Sequence, residues 1–353
     1  MRFMKNIKIY VAILIVGCIF SFSFAGNPDR QGEAGAGELL FNPWPTSSGL
    51  HGLNVSSVTG VASLRLNIAG IGRGYEKAVI GVSNSRLYEG SGLQYNALGF
   101  AMKMSKTGSF GISLGVVDFG DIPITTVDVP EGSGASFSPS FYNMGIGYCY
   151  TYENKISVGA LIRIIGESTA DVSAMGVAID AGVQYVSGPQ DNFKLGISLG
   201  NIGTPMKFGG TGLNFRGKNP DGTSSYELTF QHRAEGFELP SVLNMGVSYD
   251  FYIAQKTSVR GLGGFTSNAF SLDQAGGGIE FSFRDLVVLR GAYMFELGAT
   301  SVEEQNIYSG LSGGFTINVP ISKKNRNKIA LDYSYRATHR FNGSHNFGAR
   351  IEI

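Results

Sequence analysis

The side chains best suited to metal binding or nucleophilic chemistry are four histidines and two cysteines. Their spacing favours neither. His51, His232, His339 and His345 contain no pair four residues apart, the spacing a helical metal site uses. His339 and His345 instead straddle Asn342-Gly343, a turn signal. Cys18 lies in an apolar N-terminal run, so removal of a leader would leave Cys149 alone. A single cysteine forms no internal disulfide and no cysteine-based zinc site. No P-loop and no Cys-x-x-Cys occurs, and Gly-x-Gly triplets such as Gly145-Ile146-Gly147 sit inside alternating stretches, where they carry no phosphate-binding meaning. The expectation is a chain without catalytic, metal or cofactor residues. What remains is an acidic connection, 120–140, holding Asp121, Asp128 and Glu131 without a Lys or Arg. Loops of this kind carry partner contacts, and these three acids are the candidate partner-binding residues.

The elements that would position such a loop are strands. Between Ser136 and Gly166, Met144, Ile146, Tyr148, Tyr150 and Tyr152 alternate with Gly145, Gly147, Cys149 and Thr151. After Glu153-Asn154-Lys155, Ile156, Val158, Ala160, Ile162 and Ile164 alternate with Ser157, Gly159, Leu161 and Arg163. Period-two alternation of a large apolar row with a small or polar row describes a hairpin in a membrane β-barrel wall. Composition agrees. Charged residues make up 16% of the chain, against about 25% in soluble domains. The net charge of +1, from 28 basic and 27 acidic residues, argues against nucleic acid as a partner.

The start of the chain has the form of an export signal. Arg2, Lys5 and Lys8 precede an apolar run that ends at Ser23-Phe24-Ala25, which predicts removal of residues 1–25 and a mature start at Gly26. A second reading takes Ile15-Val16-Gly17-Cys18 as a lipoprotein box with Cys18 lipidated. Beyond this leader no run approaches the ~20 apolar residues of a membrane helix. Residues 26–76 are rich in Gly and Ser, with Pro43 and Pro45 around Trp44. They read as a plug inside a barrel or as a periplasmic arm; Leu39, Leu40, Phe41, Leu50, Leu53 and Val55 need burial and favour the plug.

Alternation returns over 77–353, giving about fourteen antiparallel strands of roughly the ~9–11 residues a tilted spanning strand needs. With the first strand running outward, short turns fall on one side. The long connections 120–140, 202–241 and 298–309 fall on the other, the asymmetry of an outer-membrane barrel. Lipid exposure of a Lys or Arg costs ~2–4 kcal/mol at mid-membrane, so Arg163, Lys194, Arg284, Arg290, Arg336 and Arg350 should point inward, beside Asp180, Asp250, Glu280, Glu296 and Asp332. Tyr148, Tyr150 and Tyr152 at one end, and Tyr333 and Tyr335 at the other, suit two aromatic girdles facing outer-membrane lipid. The end of the chain, with Phe347, Ile351 and Ile353 on one face, looks like a C-terminal insertion signal.

Phe137-Ser138-Pro139-Ser140, the hairpin that follows, and Val177–Tyr185 resemble, in order and spacing, segments of the PorV/PorQ family of outer-membrane proteins from Bacteroidetes-type bacteria. That family is related to the fatty-acid transporter FadL. Ala36-Gly37-Glu38-Leu39-Leu40 resembles its opening phrase, whereas Leu66–Gly70 lacks the Trp and Pro of its WNPAGL-like motif. The resemblance implies a barrel of fourteen strands and a non-enzymatic role in type IX protein secretion and surface attachment. The partners it implies are a translocon barrel, attachment-complex proteins or secreted cargo. The alternative is a FadL-like channel for small hydrophobic molecules, which would want inward Leu and Phe where the chain places mostly Gly, Ser, Asn, Arg and Asp.

Overall fold

The structure is a computed structural model that describes residues 26–218, 226–321 and 327–353. The expected leader, with Cys18, and most of the expected turn at 322–327 lie outside the described residues.

Fourteen antiparallel strands form one closed barrel. In chain order they are β1 Ala78–Arg86, β2 Gln94–Lys103, β3 Gly108–Asp118, β4 Ser140–Tyr152, β5 Ile156–Thr169, β6 Val172–Ser187 and β7 Phe193–Gly203. The second half comprises β8 Val242–Ala254, β9 Thr257–Asn268, β10 Gln274–Phe283, β11 Val287–Glu296, β12 Tyr308–Pro320, β13 Lys328–Thr338 and β14 Ser344–Glu352. Each strand pairs with the next, and β1 closes on β14 from Val79↔Glu352 to Arg86↔His345. The pleat sends alternate side chains to opposite faces, so β4 buries Gly145, Gly147, Cys149 and Thr151 and exposes Met144, Ile146, Tyr148 and Tyr150. Among the described residues no helix is long and apolar enough to cross a membrane.

One end of the barrel carries tight turns. Glu153 and Asn154 join β4 to β5 with φ of 46° and 56°, and Arg284 and Asp285 join β10 to β11 with φ of 52° and 57°. Two successive left-handed residues match the twist of the flanking strands. The other end carries the long connections 119–139, 204–241 and 297–307. Short ribbons stiffen the first two: Ile122–Pro123 with Ser136–Phe137, Met206–Lys207 with Gly236–Phe237, and Asn214–Lys218 with Glu227–Gln231. The sequence pattern does not announce these ribbons, because two to five residues are too few for alternation to register.

The core is the N-terminal segment packed inside the barrel. It consists of short helical turns, among them Gly37–Leu40, Pro45–Ser48, Leu53–Ser56, Ser63–Leu66 and Ile68–Gly72. Leu50, Leu53, Val55, Val58, Val61, Leu64, Ile68 and Ile71 are all buried. Such irregular backbone survives away from water only if its carbonyls find donors. The wall supplies them. Gln184 Nε2 donates to Val55 O and Val58 O, both at 3.0 Å; Ser312 Oγ donates to Gly49 O at 3.0 Å; Ser83 Oγ donates to Pro43 O at 2.6 Å. Arg163 Nη2 reaches Leu64 O at 3.2 Å, and Cys149 Sγ faces Ala69 O at 3.3 Å. Trp44 lies over two wall glycines: a Cβ on Gly81 or Gly99 would fall 3.0 Å from the indole.

Arg284 departs from expectation. It belongs to the β10–β11 turn and stacks its guanidinium on Phe283 at 5.2 Å instead of pointing into the lumen. It lies one residue past the end of β10, where strand alternation no longer sets a side chain's direction.

Candidate functional site

Strands β7 to β11 line the lumen in tiers, and cross-strand register sets each tier. The tier nearest the long loops is a hydrogen-bonded polar row. Asn244 pairs with Ser198 and Thr266, Thr266 with Gln274, and Gln274 with Glu296. Asn244 Nδ2 donates to Ser198 Oγ at 3.3 Å, Thr266 Oγ1 to Asn244 Oδ1 at 2.9 Å, and Gln274 Nε2 to Glu296 Oε1 at 2.8 Å. The other Glu296 oxygen accepts from Asn306 N at 2.6 Å.

The next tier is glycine: Gly196, Gly246, Gly264 and Gly276 stand side by side on four strands. Here the N-terminal segment packs directly on the wall backbone. A Cβ on Gly246 would lie 2.5 Å from Val55, one on Gly264 3.0 Å from Leu53, and one on Gly278, a step further down, 3.4 Å from Leu50. Leu50 and Leu53 pack with Leu262, Ala292 and Met294 to complete an apolar collar.

Toward the tight turns the wall becomes an alternating ladder of charges. Asp250 pairs with Lys194 and with Arg260, whose Nε lies 2.5 Å from it. Glu280 lies between Arg260 and Arg290 at 2.9 and 2.6 Å. Thr316 links Arg290 to Asp332, and Arg350 Nε reaches Asp332 at 2.7 Å. On the far wall Arg163 pairs with Asp180 at 2.6 Å. The inward charges expected from the sequence are therefore found, Arg284 excepted. Arg260 was not singled out, although its strand's alternation places it on the inner face and it bridges two carboxylates.

Above the collar lies a cavity of about 360 Å³. The polar row forms one wall; Leu39, Leu40 and Phe41 of the N-terminal segment form the other. Arg336 lines it too, donating from Nη2 to His51 Nδ1 at 3.0 Å and lying 3.6 Å over the Tyr308 ring. Burial and the Arg336 charge hold His51 neutral, its pKa well below the ordinary histidine value. Glu38, beside this cavity, is 4% exposed and finds no hydrogen bond for either carboxyl oxygen among the described residues. Burial, then the nearby Glu167 carboxylate, push its pKa up to about 7. Below the collar are smaller cavities of about 240 and 110 Å³, lined by Lys194, Arg260, Glu280, Arg290 and Arg350 among others.

Asp121, Asp128 and Glu131 do not join this site. All three are exposed on the 119–139 connection, where Asp121 accepts from Ser138. His232 stacks on Phe215 at the outer ribbon, and no three His, Cys, Asp or Glu side chains among the described residues are placed to hold a metal. Gly-x-Ser-x-Gly occurs at Gly111–Gly115, Gly196–Gly200 and Gly310–Gly314, each time within a strand and not on the strand-to-helix elbow that exposes a nucleophile.

The architecture defines a closed fourteen-stranded β-barrel whose lumen is filled by its own N-terminal segment. Solved structures share this fold. The CymD monoaromatic hydrocarbon channel is 14% identical with a TM-score of 0.57, over 89% of this chain and 97% of that one. The Pseudomonas putida toluene transporter TodX is 14% identical with a TM-score of 0.54, over 86% and 95%. The Ralstonia pickettii toluene transporter TbuX is 13% identical with a TM-score of 0.51, over 88% and 98%. At these identities the likeness is one of fold. No protein-family model matches the chain, and no curated protein matches it by sequence.

Proposed function

We propose that the chain is a FadL-like outer-membrane channel, with its tight turns in the periplasm and its long loops outside. It admits small molecules to the cavity above the collar, and displacement of the collar lets them pass. The observation that carries this reading is the sequence of compartments along one wall: a cavity, an apolar seal on glycine, and a charged vestibule. The outward apolar rows and the Tyr148, Tyr150 and Tyr152 band support a membrane setting. The fold it shares with hydrocarbon channels supports transport over the secretion role. The cavity differs from a purely apolar pocket, because its polar row faces the leucines and Phe41. Its ligands are therefore small hydrophobic molecules that carry a hydrogen-bonding edge. Uptake of radiolabelled benzyl alcohol and toluene, by cells that lack such channels and express this chain, tests the reading. Expression should raise uptake, of benzyl alcohol most, and Asn244→Leu with Gln274→Leu should remove that preference. Uptake no faster than in cells without the chain would refute it.

A second reading makes the chain a type IX secretion partner that docks through Asp121, Asp128 and Glu131. It is favoured by the exposed, ribbon-stiffened acidic connection and the sequence resemblance. Replacing all three acids with Asn should then abolish co-purification of a translocon barrel or cargo; recovery of neither by the unaltered protein would dispose of it.

A further inference from the structure

A series of aromatic rings leads from the surface of the long-loop end to the cavity above the collar. Phe341, in the 339–343 turn between β13 and β14, is 42% exposed. Its ring lies 5.5 Å from that of Tyr88, in the 87–93 connection between β1 and β2. Tyr88 in turn lies 6.0 Å from Phe41, edge to face, and 5.8 Å from Tyr308. Phe41 and Tyr308 line the cavity from two different elements, the N-terminal segment and β12. Tyr88 bridges those two rings and also meets the surface ring.

The rings on the cavity are anchored. The Arg336 guanidinium lies 3.6 Å over Tyr308, and Arg65 Nε donates to Phe41 O at 3.0 Å. The backbone at Tyr88 is anchored too. Its N–H donates to Ser344 Oγ at 3.0 Å, its carbonyl accepts from Ser91 N at 2.8 Å, and Glu89 N donates to Gly343 O at 2.7 Å. That backbone is left-handed, with φ of 49°. Glycine takes this conformation freely and a bulky side chain only under strain. Tyrosine here holds a ring in place at the expense of the backbone, and strain of this kind collects at working positions.

We propose that Tyr88 is the gate of the cavity on this side. Its ring swings about the Cα–Cβ bond while the backbone stays, and flat molecules enter in its place. The ring is held by its aromatic neighbours and by a hydrogen bond between the Tyr88 and Tyr308 side chains. An incoming aromatic ring offers Phe341, Phe41 and Tyr308 the same edge-to-face and offset contacts, so the exchange costs little. A puckered saturated ring of similar size breaks those contacts without replacing them. The inference deepens the channel reading and rests on the cavity being a stop on the route.

A thiol placed in the cavity by Asn244→Cys tests the gate in the purified full chain. Its labelling by benzyl and by cyclohexylmethyl methanethiosulfonate is read by mass spectrometry of the peptide that carries it, each rate taken relative to that in urea. The benzyl reagent should label roughly tenfold faster than the cyclohexylmethyl one, the scale of one or two ring contacts. Tyr88→Gly, which also relieves the left-handed backbone, should speed both reagents and erase the difference, whereas Tyr88→Phe should keep it. Should Tyr88→Gly fail to fold, Tyr88→Leu, which keeps bulk without an aromatic face, should erase the preference. Equal rates for the two reagents with Tyr88 in place, or a preference that survives its replacement by Gly or Leu, would overturn the gate. Cell uptake decides the channel separately: a selective, Tyr88-dependent thiol in a chain that raises no uptake would support the gate and refute the channel.

Discussion

The fold raises the pKa of the Glu38 carboxyl. It titrates near 4.5 when free and at about 7 in place, because burial and Glu167 both disfavour its charge. Between those values the unfolded chain binds fewer protons than the folded one. Stability from this group therefore falls as pH rises through the window, by about 3 kcal/mol at full extent. Urea unfolding followed by Trp44 fluorescence should show a lower midpoint at about pH 8 than at about pH 5, and Glu38→Gln should flatten the difference. An unchanged pH profile in that variant would show that Glu38 is not the group responsible. Arg163, 1% exposed, poses the opposite case, since its charge is balanced by Asp180 at 2.6 Å and by Asn143 Oδ1 at 2.9 Å. Arg163→Ala strands Asp180 and should cost about 3–5 kcal/mol, read from the same urea curves. Alternation alone pointed Arg163 and Asp180 inward. It was silent about Glu38, because Ala36-Gly37-Glu38-Leu39-Leu40 has no period from which burial could be inferred.

The collar joins an irregular segment to a regular wall, and glycine makes the join possible. Leu53 and Val55 occupy space that any side chain at Gly264 or Gly246 would need. Gly264→Leu should push the segment off the wall. Gly99→Val should do the same locally under Trp44, the only tryptophan, and shift its emission to the red as the indole meets water. An unshifted emission maximum in Gly99→Val would argue that Trp44 does not rest there. The strands were legible because large apolar and small or polar residues alternate over long runs in many of them, as in β4 and β6. The packing of the N-terminal segment was legible only as a need for burial. Helical turns of three to five residues leave no repeat from which a contact with a particular strand could be read.

The closed wall leaves no free strand edge, so the whole molecule should resist detergent. Unboiled protein is expected to migrate apart from boiled protein on SDS gels, and identical migration would contradict a closed barrel. The sorting of short turns and long loops to opposite ends could be read from connection lengths alone, since an antiparallel barrel puts alternate connections on alternate sides. The division of the lumen could not, because it arises where register aligns Ser198, Asn244, Thr266, Gln274 and Glu296 in one row and Gly196, Gly246, Gly264 and Gly276 in the next. Single-channel conductance in planar bilayers bears most directly on that division. The unaltered protein should conduct little, with Leu53→Ser and Val55→Ser together raising the open current severalfold by wetting the collar. A large conductance in the unaltered protein, or a current that the paired substitution leaves unchanged, would contradict a lumen sealed by its own N-terminal segment.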